Sequence, residues 1–125
     1  MNLMDAIKAH VGWKVRLENY VSGDRSEDLN SAIIAQDNQC ALGKWIYGEG
    51  AIYNDLPDFS EMKRNHAAFH QCAAAIVQKC DEGKVSEAET MLHQEYNRVS
   101  QRVKKSLAKL GMHVLNENSG AGTGS

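Results

Sequence analysis

The single proline of the chain, Pro57, opens a long stretch with a regular helical pattern. From Pro57 to Gly83 apolar residues recur at steps of three and four, and at ~100° per residue they share an arc of roughly 100°. Proline fits the first turn of a helix and glycine is favoured just past its end, so this stretch predicts one long amphipathic helix. Such a helix must bury its stripe against other elements. The stripe consists of Phe59, Met62, His66, Phe69, His70, Ala73, Ile76, Val77 and Cys80.

Three further stretches show the same helical period: about Asn2 to Val21, Glu27 to Gln36 and Ser86 to Asn116. Ser26 is the predicted N-cap of the second, and Ser86 with Glu89 three residues later predicts a capping box for the fourth. Strand signals are nearly absent. The predicted fold class is therefore all-α, an antiparallel four-helix bundle. The predicted apolar side of the second helix consists of Leu29, Ala32 and Ile33.

The length of 125 residues suits one domain, which we expect to span residues 1–116. Residues 117–125 are expected to be a flexible tail or an expression remnant, because only Ser, Gly, Ala and Thr occur from Ser119 onward. A formal net charge of −2 gives no reason to expect nucleic acid, and no apolar run approaches the ~20 residues of a membrane span. Three cysteines without a secretory signal predict a cytoplasmic protein in a reducing compartment.

Three histidines occur where the helical patterns call for apolar residues. His66 and His70 lie four residues apart on one stripe, so both imidazoles can face one point, and His10 lies on the stripe of the first helix. A single buried histidine is usually a core residue with one hydrogen bond. Three of them need more polar partners than a core offers, whereas a metal ion satisfies one nitrogen of each. The pattern therefore predicts a metal site.

A tetrahedral ion would need a fourth ligand, which Asp, Glu, water or cysteine can supply. Among the cysteines, Cys72 faces about 200° around the helix from His70, and Cys80 lies about 15 Å along the axis. Both are predicted to be small buried apolar residues. The remaining cysteine, Cys40, precedes a short predicted helical turn from Ala41 to Tyr47.

Three segments resemble, in order and separation, the signatures of the bacterial chemoreceptor zinc-binding (CZB) domain family. They are HVGWK from His10, CALGKWIYG from Cys40 and HAAFH from His66. The resemblance extends from about Met4 to Leu110, and its Cys-x-Leu-Gly-Lys-Trp block is the most specific part. The chain carries neither a receptor coiled coil nor a cyclase domain, so we expect a stand-alone form or a domain of a longer protein.

The resemblance implies one Zn²⁺ per chain, held in a four-helix bundle by His10, Cys40, His66 and His70. It also implies homodimerisation and a regulatory rather than enzymatic role, with no catalytic residue. Family members serve bacterial chemotaxis receptors and diguanylate cyclases and are associated with sensing zinc or oxidants such as hypochlorous acid, which makes Cys40 the expected redox-reactive residue. The residues expected to pack around the site are Trp13, Leu42, Gly43 and Trp45.

Three other interpretations stay open at this point. A zinc hydrolase would use an open fourth position, but HAAFH lacks the glutamate base of His-Glu-x-x-His. A di-iron oxygen carrier would need inward carboxylates, which the stripes lack, and further ligands, whereas His93 and His113 are predicted to be solvated. A zinc that only staples a structural dimerisation module is the third interpretation, and a closed four-ligand site is consistent with it.

Overall fold

The computed structural model of the protein describes the backbone of residues 3–123 and the side chains of residues 4–112. This part of the chain is helical and contains no strand. None of its helices is both long and apolar enough to cross a membrane. The elements are α1 (Leu3–Val21), α2 (Ser31–Ile34), α3 (Ala41–Tyr47), a 3₁₀ helix (Glu49–Tyr53), α4 (Pro57–Asp81), α5 (Val85–His93) and α6 (Glu95–Thr123).

The helix predicted from Pro57 is confirmed as α4. Pro57 occupies its first turn, and Gly83 follows its end with φ of +79°, a left-handed conformation that glycine adopts without a Cβ clash. Every residue of the stripe predicted on this helix is buried. The apolar stripe of the last helical stretch is buried too; it consists of Ala88, Leu92, Tyr96, Val99, Val103, Leu107 and Leu110. The first stripe is buried at Ala6, His10, Leu17 and Tyr20, and half-buried at Trp13; Asn2 and the Leu3 side chain lie outside the described residues.

The second predicted helix is wrong in extent and in its apolar side. Only Ser31–Ile34 is helical, and its N-cap is Asn30, whose Oδ1 accepts the N–H groups of Ala32 and Ile33. Ser26 is not a cap, because its own N–H is held by Asp24 Oδ1 in a turn. Leu29 is buried as predicted, but Ala32 and Ile33 are exposed, and Ile34 faces the core instead. A helix of one turn takes its orientation from tertiary contacts rather than from a period.

The helix predicted from Ser86 to Asn116 is two helices, α5 and α6, which meet at Gln94. The break frees carbonyl groups, and the Asn97 amide donates to the carbonyl of His93 at 2.9 Å. The predicted capping box is also wrong: α5 begins at Val85, and its N-cap Lys84 makes no side-chain hydrogen bond. The backbone of α6 continues to Thr123.

Helix α4 packs against both α1 and α6. Along α1, His10 contacts His66 and Tyr20 donates to Asp81 Oδ1, so residue numbers increase together and the two helices run parallel. Along α6 the order reverses, because Asn65 of α4 donates to Ser106 whereas Phe69 contacts Tyr96. Helices α4 and α6 are therefore antiparallel. This packing brings the middle of α1 against the middle of α4, where the three histidines lie.

Candidate metal centre

His66 and His70 face each other one turn apart on α4. Their Nε2 atoms are 2.9 Å apart, and both side chains are buried. The Nδ1 atom of His70 lies 2.9 Å from the carbonyl oxygen of Ile34 in α2. An Nδ1–H that donates there leaves the lone pair on Nε2, the nitrogen that faces His66.

His10 approaches the same point from α1. Its ring centroid lies 5.5 Å from that of His66, and its Nδ1 is 2.7 Å from the carbonyl oxygen of Ala6, one turn earlier on α1. Its Nε2 is buried without a hydrogen-bond partner. The candidate ligand atoms of His10, His66 and His70 all lie within 4.8 Å of one another. Among the described residues this is the group of side chains that forms a candidate metal site, and it contains no carboxylate.

Cys40 joins the histidines through its sulfur. Its Sγ lies 3.3 Å from Nε2 of His66 and 3.4 Å from Nε2 of His70. Cys40 is also the N-cap of α3, and the same Sγ accepts the N–H of Gly43 at 3.3 Å. The structure thus brings together all four residues that the sequence singled out, from three helices.

Gly43 allows the segment before Cys40 to lie against α3. A Cβ on Gly43 would stand 1.8 Å from the carbonyl oxygen of Asp37 and 2.8 Å from the Cα of Asn38, distances that no side chain accommodates. Both neighbours are backbone atoms, so relaxation would move the chain itself. The backbone of Asp37 and Asn38 therefore lies directly against Gly43, and this close approach sets where Cys40 sits.

The other residues expected around the site anchor its surroundings. Leu42 is buried in the core, and the Trp45 ring packs against Tyr53 and Phe59 at centroid distances of 6.0 and 6.1 Å. Trp13 is half-buried beneath the Arg16 guanidinium, which lies 3.7 Å from its ring centroid. The Trp45 contacts hold α3 to the 3₁₀ helix and to the first turn of α4, and neither tryptophan adds a donor to the site.

Burial sets the protonation of the histidine cluster. Burial, together with the neighbouring imidazoles of His70 and His10, lowers the pKa of His66 to about 3. Burial also lowers the pKa of His10 and of His70, although hydrogen bonds to Ala6 and Ile34 oppose the change. All three imidazoles are therefore neutral near pH 7, the form that binds metals. Burial raises the pKa of the Cys40 thiol, against the backbone N–H of Gly43.

The four residues fit a zinc ion. Zinc takes imidazole nitrogen at about 2.0–2.1 Å and thiolate sulfur at about 2.3 Å, so tetrahedral ligand atoms are roughly 3.3–3.6 Å apart. The three histidines lie within 4.8 Å of one another, and the Cys40 sulfur is 3.3 and 3.4 Å from His66 and His70, so these separations are close to that range. The unpartnered Nε2 of His10 is the more telling observation, because a buried nitrogen without a partner is costly unless a metal binds it.

A cleft of about 270 Å³ connects Cys40 and His70 with the surface. One wall comes from α1, with Trp13 and Arg16, and the other from the segment around Ile33. The Arg16 guanidinium also pairs with the Glu27 carboxylate and so ties that segment to α1. The site is consequently buried beneath the helices but reachable on its cysteine side.

Sequence reasoning missed the oxygens that orient the imidazoles. The Ala6 carbonyl lies four residues before His10 on one helix, so the local pattern could have indicated it, whereas the Ile34 carbonyl is 36 residues from His70 and carries no sequence signal. Cys72 and Cys80 are buried apart from the cluster, as predicted. His93 is exposed, and the His113 side chain lies outside the described residues.

Fold and site together define a helical domain with a candidate metal centre, at which three buried histidines and a cysteine come together. The family model described as the chemoreceptor zinc-binding domain matches residues 10–77, more than half of the chain. The protein belongs to this family, which is regulatory rather than a known catalytic one. The match begins at His10 and includes Cys40, His66 and His70. No curated protein and no solved structure matches the chain significantly.

Proposed function

We propose that this protein is a sensory module of bacterial signalling, in chemotaxis or cyclic-di-GMP pathways, that responds to oxidants or to zinc through Cys40. The observation that carries the proposal is the position of the Cys40 sulfur, 3.3 and 3.4 Å from two buried imidazole nitrogens. A sulfur in that position belongs to the donor set and also faces the cleft that reaches solvent. The proposed ligands of one Zn²⁺ per chain are His10, Cys40, His66 and His70.

The protonation state of Cys40 is central to this role. In the metal-free site burial raises the pKa of its thiol, which is then protonated near pH 7. Bound zinc would hold the sulfur as a thiolate, the form that oxidants attack. A two-electron oxidant such as hypochlorous acid converts a thiolate to a sulfenic acid and is itself reduced to chloride.

Oxidation of Cys40 would act on α3 through the helix cap. The sulfur accepts the N–H of Gly43 and so satisfies one free donor of the first turn. A sulfenic acid is larger, uncharged and a poorer acceptor, and it no longer matches the space between His66 and His70. We infer that α3 then shifts or unfolds, because its seven residues are too few for a stable isolated helix.

The test exposes zinc-loaded protein to stoichiometric hypochlorite while zinc release and helical circular dichroism are followed. Release of zinc with loss of helicity is expected for the wild type and for Cys72→Ser, in which Cys40 is retained. The Cys40→Ala variant should show neither oxidant response above its own baseline. Equal responses of the wild type and Cys40→Ala would reject the proposal.

We also propose that the protein is cytoplasmic and forms a homodimer. Each copy would have the antiparallel four-helix arrangement that the sequence predicts. The outer face of α1 exposes Met4, Val11 and Val15 one turn or two apart, an apolar row that a second copy would cover. Val15→Glu should then shift the mass measured by sedimentation from dimer to monomer. An unchanged mass would place the interface elsewhere.

The alternative function is a zinc-stapled structural module without a sensing role. The burial of all three histidines favours it, because a closed site exchanges metal slowly. Titration in zinc buffers separates the two: affinity far tighter than any cellular change in free zinc excludes zinc sensing. The hypochlorite experiment then decides between oxidant sensor and staple.

A further inference from the structure

Four exposed cations form a row along the outer face of α6. Arg98, Arg102, Lys105 and Lys109 follow one another at steps of four, three and four residues. At ~100° per residue they share an arc of roughly 60°, so their side chains lie above one another. Within the described side chains none of them pairs with a carboxylate. We call this row the basic stripe.

The charge of this helix is segregated from that of the remaining protein. Between Glu95 and Met112 the only acidic residue is Glu95 itself, whereas Lys104 accompanies the basic stripe. The chain as a whole nevertheless has a formal net charge of −2. Like charges at i, i+4 on a helix are destabilising. The basic stripe therefore costs stability that no contact within the described residues offsets, which points to an external anionic partner.

The surroundings of the basic stripe favour a protein partner. Three of its cations, Arg98, Arg102 and Lys105, line a shallow, open depression of about 410 Å³ together with the amides of Gln94, Asn97 and Gln101. Arginine forks and side-chain amides both donate to carboxylates, often in pairs. No aromatic side chain is interleaved with the cations on this face, although stacking on such residues is a main feature of single-strand nucleic-acid sites.

The basic stripe lies on α6, whose inner side is linked to the candidate metal centre through the ring of Phe69. Tyr96 of α6 packs against Phe69, whose centroid lies 4.5 Å from the His10 ring. Arg98 is only two residues from Tyr96, on the opposite face. A displacement of α4 at the site therefore reaches the helix that carries the stripe through two packed rings.

We propose that the basic stripe is a docking surface for an acidic helical segment of a partner protein, with carboxylates repeated at one-turn spacing. This proposal rests on the regulatory role proposed above and supplies its output surface. The stripe from Arg98 to Lys109 extends over three turns, about 16 Å. A partner helix with Glu at i, i+4, i+7 and i+11 presents charges at the same intervals.

The probe is a labelled, alanine-rich helical peptide with four Glu residues at this spacing, beside a matched peptide in which Gln replaces Glu. Fluorescence anisotropy with the zinc-loaded 125-residue chain should show the Glu peptide binding at least about tenfold more tightly than the Gln peptide. Raising the salt from 50 to 200 mM should weaken that binding severalfold, because the charges are exposed.

The Arg102→Glu variant should lower Glu-peptide affinity about tenfold. Lys84→Glu, the same charge reversal at an exposed turn position outside the stripe, should leave it within about twofold. Arg102→Glu should also raise the melting temperature, since the new carboxylate faces Arg98 and Lys105 at helical spacing. Equal binding of both peptides, an unchanged affinity of Arg102→Glu, or tighter binding of single-stranded RNA than of the Glu peptide would each overturn the proposal. Zinc content, measured in parallel, separates such a failure from a failure of the metal site.

Discussion

The sulfur of Cys40 accepts the backbone N–H of Gly43 at 3.3 Å, and the same atom lies 3.3 Å from Nε2 of His66. The N-terminal cap of α3 and the cysteine donor of the candidate metal site are therefore one atom. Whatever changes the charge or size of this sulfur changes the end of a helix at the same time. The contact between the Cys40 sulfur and the Gly43 N–H is therefore sufficient to couple the chemistry of the site to the conformation of α3.

Replacement of Gly43 by alanine should destabilise the protein by about 3 kcal/mol, because the new Cβ meets the Asp37 carbonyl at 1.8 Å. Displacement of Asp37 also moves Cys40, so zinc affinity should fall in parallel. Urea denaturation and zinc titration measure the two effects. The matched control is Gly12→Ala in α1, where a Cβ would meet nothing within 4 Å. This substitution should raise the free energy of unfolding by about 0.5–1 kcal/mol. Equal stability of the two variants would contradict the close approach of Asp37 to Gly43.

Removal of His10 tests the ligand that is most distant in sequence from the others. His10→Ala should weaken zinc binding by more than about 100-fold, since loss of a ligand's hydrogen-bond partner alone costs about 10- to 100-fold. Competition with a chromophoric chelator measures this directly. His93→Ala, at an exposed position outside the cluster, should bind zinc as the wild type does. Full affinity of His10→Ala would show that the ligand set is wrong.

The metal-free protein should lose stability as the pH falls from about 6.5 toward 4.5. In the unfolded chain the histidines have a pKa near 6.5, whereas burial lowers the pKa of His66 in the folded chain to about 3. The unfolded state therefore binds protons that the folded state does not, and the free energy of unfolding decreases in this window. Denaturation curves at several pH values should show the slope, and His66→Leu should reduce it. A flat profile in the wild type would contradict the burial of the cluster.

Cys40 should be the first cysteine of the metal-free protein to react with iodoacetamide, because the cleft reaches it whereas Cys72 and Cys80 are buried. Burial raises the pKa of the Cys72 thiol to about 11, which slows that residue further. Mass spectrometry of peptides resolves the order. Ile33→Trp, at the wall of the cleft, should slow labelling of Cys40 severalfold, whereas Ile52→Trp, an exposed position away from it, should not. Equal labelling rates of Cys40 in the two variants would show that the reagent reaches this residue by a path other than the cleft.

Two tyrosines in the core should respond oppositely to loss of the hydroxyl group. Tyr96 is fully buried and its hydroxyl has no partner, so Tyr96→Phe should be neutral or raise the free energy of unfolding by up to about 1 kcal/mol. The Tyr20 hydroxyl donates to Asp81 at 2.5 Å, so Tyr20→Phe should lower the free energy of unfolding by about 1 kcal/mol. Thermal or urea unfolding measures both. A larger loss in Tyr96→Phe than in Tyr20→Phe would reveal an unseen partner of Tyr96.

Much of the helical framework was predictable because its causes are local. Pro57, Gly83 and the stripe between them each act on residues a few positions away, and α4 begins and ends where they indicate. The same local period made it possible to recognise His66 and His70 in the sequence as polar residues on an apolar face. The break at Gln94 was not predictable in this way, because an unbroken period continues through it and the Asn97 amide replaces the lost backbone bond.

The sequence by itself determined the helical class, the inward direction of three histidines and the resemblance that named Cys40. Only the tertiary structure decided what each of these residues meets. The Cys40 sulfur reaches His66 across 26 residues, and the Ile34 carbonyl reaches His70 across 36. Periodicity reports which side of a helix is buried, since that depends on neighbours within one or two turns. Contacts between segments depend on how the helices pack, and for one-turn elements such as α2 packing also decides the helix itself.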